Sequence, residues 1–213
     1  VNAGRGPVLK RDLIFEKERG GATYIISEDY SYKTEAYYRI LTLEMEGTDT
    51  VPSTRALLEA YVVPVCLARA AEAGIPVCEW GVSDERVPLP SILYGISYFA
   101  DPAEYSLVRD PETAGPVIKY ITGNGKYPFC YQPISPDAEI VPCVTIFGRT
   151  VGASEPLADL AMQVYRLFRI PLMEIITVYN GGLSLSAITP CWYSKLTKEE
   201  KEILGQILAG ECR

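Results

Sequence analysis

Between Ser27 and Leu41 the segment SEDYSYKTEAYYRIL brings together three carboxylates, four tyrosines, one lysine and one arginine. Tyrosine joins a large apolar ring to a hydroxyl, and arginine carries a rigid fork of donors. Tyr30, Tyr32, Lys33, Tyr37, Tyr38 and Arg39, with Glu28 and Asp29 beside them, are therefore candidates for a ligand-binding first turn of a helix. A plainer reading of the same residues stays open, in which the hydroxyls sit at the water boundary and only Tyr37 and Ile40 turn inward. Coordination of Mg²⁺ needs convergent carboxylates, and Glu28, Asp29, Glu35, Glu44 and Glu46 supply them only if the tertiary fold gathers them.

A second candidate is GRTVGAS, Gly148 to Ser154, lying between a predicted strand and a predicted helix. Backbone N–H groups at such a junction can face an anion, Arg149 can add a charge-assisted bond, and Thr150 or Ser154 a hydroxyl. The loop has neither GxxxxGK[ST] nor GxGxxG, so an ordinary β-to-α connection is the competing reading. GNGKYP has a phosphate-loop look, but Asn124 and Gly125 are explained by a hairpin turn.

The composition narrows the chemistry. The chain has 213 residues and no histidine, which removes Ser-His-Asp, Cys-His and His-based metal sites. An enzyme built from it would rely on Asp, Glu, Lys, Tyr, Arg, backbone dipoles or a bound metal. No catalytic residue or cofactor is assigned. The six cysteines, at 66, 78, 130, 143, 191 and 212, form no CxxC or CxxH unit, so no metal site is expected and buried, reduced thiols in a cytoplasmic protein are. A net charge of −7 weighs against a broad nucleic-acid surface. No apolar run approaches the ~20 residues of a membrane-spanning helix. The glycine-rich start, VNAGRGPVLKRD, reads as a tail, an appended remnant or an arm that covers a ligand.

These residues must be positioned by elements. ATYIIS, Ala22 to Ser27, reads as a buried strand, and rows at four-residue spacing predict a helix from Ser31 to Met45 that Gly47 stops. Ser53 can cap a helix over Thr54 to Ala73 that Pro64 kinks or divides. IPVCEW follows as a strand. The β-α-α-β order points to a layered α/β fold with a mixed sheet and flanking helices. The middle is irregular and rich in Pro and Gly, with SILYGISYF and PVIKYIT as candidate strands. Residues 1–213 are read as a single α/β domain in which 84–139 form a flap or a small sub-lobe. Further on, IVPCVTIFG predicts a strand, Ser154 opens a helix to about Phe168, and PLMEIITVY and LSLSAITP form a hairpin about Asn180, Gly181 and Gly182. Thr197 and Glu200 make a capping box for a last helix.

The run EDYSYKTEAYYRILTLEMEG, followed by VPSTRALLEAYVVPV, resembles the N-terminal domain preceding the catalytic part of RimK-like ATP-grasp proteins. In that family an acidic-aromatic segment leads into a helix ending near a proline-containing turn. FGRTVGASEPLADLAMQVYRLFRIPLMEIITVYN resembles the second half of the same domain. Because the sequence ends at Arg213, the resemblance implies a stand-alone relative of that domain rather than the full ligase. The expected role is an accessory, substrate-presenting or partner-binding module of an ATP-grasp-type carboxylate-amine ligase. The expected partner is a separately encoded ATP-grasp ligase. The alternative is a small enzyme that binds an anion, an acidic peptide or a metabolite where Arg149, Thr150 and Ser154 approach Glu28, Asp29 and Tyr32. Homodimerisation through the helix faces of Tyr32–Leu41 or Leu57–Ala68 is a third expectation.

Overall fold

The computed structural model describes residues 14–97, 100 and 104–209. The glycine-rich start and Cys212 lie outside the described residues, as do positions 98 and 99 of the SILYGISYF run. The chain opens with strand β1 (Ile14–Arg19), antiparallel to β2 (Ala22–Ser27), which covers the expected ATYIIS strand. β2 also pairs in parallel with the short β3 (Thr50–Val51).

Helix α1 (Glu35–Met45) crosses from β2 to β3 and buries Ala36, Ile40 and Leu43. It begins four residues later than the sequence spacing predicts. The Thr34 N–H and hydroxyl both donate to the Ser31 carbonyl, at 2.9 and 2.8 Å, so residues 31–34 are spent on a turn. The same hydroxyl then accepts from the Tyr37 N–H at 3.3 Å and caps the helix. Ser53 caps α2 (Thr54–Tyr61) by accepting from Ala56 N–H. Pro64 divides this stretch as expected. It falls in the first turn of a separate helix, α3 (Val63–Glu72), where its missing N–H has no intrahelical acceptor to lose.

Three expectations for the middle segment are corrected. IPVCEW is not a regular strand: Val77 makes one parallel bridge to Leu185, and the next strand, β4, is Gly81–Ser83. PVIKYIT is not a strand either but most of helix α4 (Pro111–Ile121). The Asp110 carboxylate accepts from Thr113 N–H at 2.8 Å, Pro111 fits the first turn, and Pro116 lies on the exposed side. GNGKYPF is consequently the stop of that helix and not a hairpin. Asn124 N–H reaches the Lys119 carbonyl at 2.8 Å, with Asn124 and Gly125 both at positive φ. α4 sets Ala114, Val117, Ile118 and Ile121 against Leu93, Val108 and Phe129. The strands beneath, β5 (Ser91–Gly95), β6 (Ser106–Val108) and β7 (Phe129–Pro133), join β4 in an antiparallel sheet of order β4-β7-β5-β6.

The last third is regular. β8 (Glu139–Ile146), β9 (Leu172–Tyr179) and β10 (Leu183–Thr189) form an antiparallel sheet of order β10-β9-β8, with the expected hairpin at Asn180–Gly182. Helix α5 (Glu155–Phe168) follows Ser154 and buries Leu157, Leu160, Ala161 and Val164. The capping box forms: Thr197 N–H donates to the Glu200 carboxylate at 2.7 Å, and Glu200 N–H to the Thr197 hydroxyl at 3.2 Å. It opens α6 (Lys198–Ala209), whose last carbonyls at Ile207 and Leu208 accept from the Lys17 ammonium of β1.

The α/β architecture is as the sequence implies, with its strands divided among three sheets. A continuous apolar core joins α1, α2, α3 and α5 to β9 and β10. The second and third sheets are locked together by a buried polar triad. The Ser186 hydroxyl donates to Gln132 Oε1 at 2.6 Å, which leaves Tyr94 to donate to Ser186 Oγ at 2.6 Å, while Gln132 Nε2 donates to the Ser186 carbonyl at 2.8 Å. The five described cysteines are free thiols, all buried except the half-buried Cys143. Among the described residues no helix is long and apolar enough to cross a membrane.

Candidate functional site

The turn between β2 and α1 divides the candidate residues by task. Tyr30 goes inward: its hydroxyl accepts from Ser27 N–H at 2.9 Å and donates to the Ile25 carbonyl at 3.3 Å, and its ring is fully buried. Burial pushes its phenol pKa well above the ordinary value. The Asp29 carboxylate accepts from Ser31 N–H at 2.7 Å and from the Ser31 hydroxyl at 3.3 Å, which fixes the turn. Glu28 faces the C-terminal segment. Its carboxylate accepts from Tyr193 N–H at 2.6 Å and its carbonyl from Cys191 N–H at 2.9 Å. Arg39 grips Glu16 on β1 through two bonds, at 2.6 and 2.9 Å. That guanidinium holds the Glu16 carboxyl below its usual range.

Tyr30, Tyr32, Lys33 and Tyr37 border a cleft of about 280 Å³, which Tyr38 does not line. One wall is Tyr30, Ser31, Tyr32, Lys33 and Tyr37; the second is Leu57, Leu58, Tyr61 and Val62 from α2 and its end; the third is Gly95, Ile96, Ser97 and Ala100, just past β5. Lys33 lies at the exposed mouth, its ammonium 5.6 Å from the Tyr32 ring centre and 3.4 Å from the Ala100 carbonyl. Partial burial, with Glu44 and Tyr38 nearby, raises the Tyr37 phenol.

Two lining residues had no place in the sequence reading. The Tyr61 and Ser97 hydroxyl oxygens are sealed from solvent and close no hydrogen bond with any described residue. The Tyr30 main-chain N–H is near enough to the Tyr61 oxygen to offset part of its burial without meeting it at bonding geometry. Burial first, and the Asp29 carboxylate second, push the Tyr61 phenol far up, so it stays a neutral donor. Tyr61 sits one residue before the α2–α3 break, and nothing in its own neighbourhood of sequence distinguishes it from a core aromatic.

GRTVGAS is a tight corner. Ile146 and Arg149 exchange N–H···O bonds of 3.0 and 2.9 Å around Phe147 and Gly148, both at positive φ. A Cβ on Gly148 would come within 2.8 Å of the Tyr165 side chain. Phe147 stands 5.9 Å from Tyr24 and 6.1 Å from Tyr165. Ser154 occupies the cap position of α5 without a side-chain cap bond. The cleft thus gathers Tyr30, Tyr32, Lys33 and Tyr37 from the candidates; Glu28, Asp29, Arg39, Arg149, Thr150 and Ser154 are not among its lining residues. Among the described residues no three His, Cys, Asp or Glu side chains are grouped to hold a metal.

No protein-family model and no curated protein matches the sequence. Solved structures do match the fold. A RimK domain ATP-grasp protein from Sphaerobacter thermophilus superposes with a TM-score of 0.63 at 19% identity, over 83% of this chain and 76% of its own. The ATP-grasp ligase PsnB, in complex with its precursor peptide PsnA2 and AMPPNP, gives 0.56 at 13% identity, over 95% and 84%. D-alanine–D-alanine ligase from Bacillus anthracis gives 0.59 at 10% identity, over 78% and 69%. The fold is ATP-grasp-like.

Proposed function

We propose that the protein is an accessory module of an ATP-grasp-type carboxylate-amine ligation system, presenting a substrate or holding a partner at the face that surrounds the tyrosine cleft. The observation that carries this reading is the rim. Tyr32, Leu58 and Val62 remain 38–45% exposed and line the cleft. Large apolar residues clustered at a concave surface mark contact sites more often than isolated ones do. The partner in this reading is a separately encoded ATP-grasp ligase, in a cytoplasmic setting, with a contact of at least ~1,000 Å². Light scattering of the mixed proteins is expected to show a complex that Val62→Glu abolishes. Lack of association at tens of micromolar, with ATP and substrate present or absent, overturns the reading. The same measurement on the protein alone tests self-association through this helix face.

A second reading, an enzyme in its own right, is favoured by the extent of the likeness, which reaches over 76–84% of two ATP-grasp chains and is not confined to one end of them. Here Arg149, Thr150 and Ser154 bind an anion. Calorimetry with phosphate, ATP and a short acidic peptide decides it. Arg149→Ala would abolish binding and Arg149→Lys would restore part, because an ammonium lacks the two-pronged geometry. Equal binding in the wild type and Arg149→Ala removes the site.

A further inference from the structure

We propose that the cleft is a pocket for a small monocarboxylate with an aromatic body and a neutral polar tip, the tip meeting Tyr61 and Ser97 and the carboxylate meeting Lys33 at the mouth. The inference builds on the recognition role given above to the surrounding face and specifies what enters it. At about 280 Å³ the cavity lies at the lower edge of the ~300–1,000 Å³ of small-molecule sites, so it suits a group the size of one amino acid and not a nucleotide.

Its walls are rings and branched aliphatics, which favour a flat apolar body. Two of its lining residues, Tyr61 and Ser97, carry hydroxyls that are sealed from water and unbonded among the described residues. A buried polar group without a partner is costly, and a ligand atom that pairs with it recovers that cost. Tyr61 and Ser97 both line the cavity, and in this proposal their hydroxyls turn toward the ligand when it enters.

Charge sets the orientation. Among the described lining residues Lys33 is the one side chain with a full charge, and it is exposed. The Asp29 carboxylate, close enough to disfavour a negative phenolate at Tyr61, disfavours a buried ligand anion there too. The inner group is therefore neutral and able to share hydrogen bonds, as a phenolic hydroxyl is, and the carboxylate stays at the mouth.

The test is calorimetry or ligand-observed NMR on the whole chain with three probes: 4-hydroxyphenylacetate, phenylacetate without the tip, and 4-hydroxyphenylethanol without the carboxylate. Saturable binding of the first is expected, with each of the others about three- to tenfold weaker. Tyr61→Phe and Ser97→Ala should each erase the preference for the hydroxylated ring, and Lys33→Gln the preference for the carboxylate. Thermal unfolding of all three variants accompanies the titrations. Tyr61→Phe should unfold close to the wild type, since the buried hydroxyl it loses closes no hydrogen bond at bonding geometry, and Lys33→Gln changes an exposed side chain. No saturation with 4-hydroxyphenylacetate by about 10 mM in the wild type, or unchanged preferences in Tyr61→Phe and Lys33→Gln, overturns the pocket. Probe binding that persists when no ligase associates supports the pocket and defeats the accessory reading alone. Association without probe binding does the reverse.

Discussion

Glu28 and Arg39 carry the most obvious charge in the tyrosine-rich segment, and the fold uses both as fasteners. Glu28 ties the end of β2 to the Cys191–Tyr193 stretch, and Arg39 ties α1 to β1. Neither partner could be named from spacing, because Tyr193 is 165 positions from Glu28. The Arg39–Glu16 pair gives a prediction with a definite pH dependence. Glu16 is held below its ordinary value of 4.5, chiefly by the hydrogen bond from Arg39. A depressed carboxylate stabilises the fold above its unfolded pKa, and the contribution is lost as pH falls through the folded value. Both side chains are 41% exposed, so solvent screens the pair and Arg39→Ala should cost less than ~1 kcal/mol at pH 7. Urea denaturation should show the gap closing as the solution is acidified past the Glu16 titration. A gap that persists in acid would mean that packing of the Arg39 stem, not charge, is what the substitution removes.

At the scale of elements, capping residues were the most legible signals. Ser53 and the Thr197–Glu200 pair name their helix starts directly, because a side-chain acceptor three residues before a free N–H is a local matter. The same chemistry is present at Asp110, whose carboxylate accepts from Thr113 N–H. β-branched Val117, Ile118, Ile121 and Thr122 gave PVIKYIT the composition of a strand, while Ala114, Val117, Ile118 and Ile121 recur at helical spacing. The Asp110 cap and the apolar face against β5–β7 outweigh β-propensity. Asp110→Ala should therefore destabilise the protein by about 1 kcal/mol, within ~0.5–2, while Asp110→Ser should nearly restore it. Chemical denaturation with circular dichroism measures both, and a neutral Asp110→Ala would show that packing alone sets the start of α4.

The whole molecule is held at the seam between its second and third sheets by Tyr94, Ser186 and Gln132. Ser186→Ala leaves the Tyr94 hydroxyl and Gln132 Oε1 without their partner in a buried place. The loss should be about 2–6 kcal/mol in urea unfolding, from ~1–3 for each orphaned group; a loss below that range would mean the seam closes around the missing hydroxyl. Buried thiols add a global pH dependence. Burial pushes Cys78, Cys130 and Cys191 up to about 12, and Cys66 further, from an ordinary 9.0. Stability is full below the unfolded value and declines as pH rises from there toward the folded values, because the unfolded chain releases protons that the native state keeps. Urea midpoints should fall between pH 8 and 10.5, and Cys66→Ala should flatten that slope by one proton.

The sequence by itself determined what is local or periodic: the ATYIIS strand, the division at Pro64, the amphipathic α5, the hairpin at Asn180–Gly182 and the exclusion of histidine chemistry. Each of these depends on residues within a few positions of one another. It also brought Tyr30, Tyr32, Lys33 and Tyr37 forward as one group, since they lie within eight positions. Only the tertiary structure decided that Tyr61, from the end of α2, and Ser97, from beyond β5, complete their cleft. It likewise decided that Glu28 and Arg39 are spent on long-range anchors. Partners 23 to 165 positions apart meet through packing of the core, and no periodicity in the chain encodes which polar groups that packing leaves without a hydrogen bond.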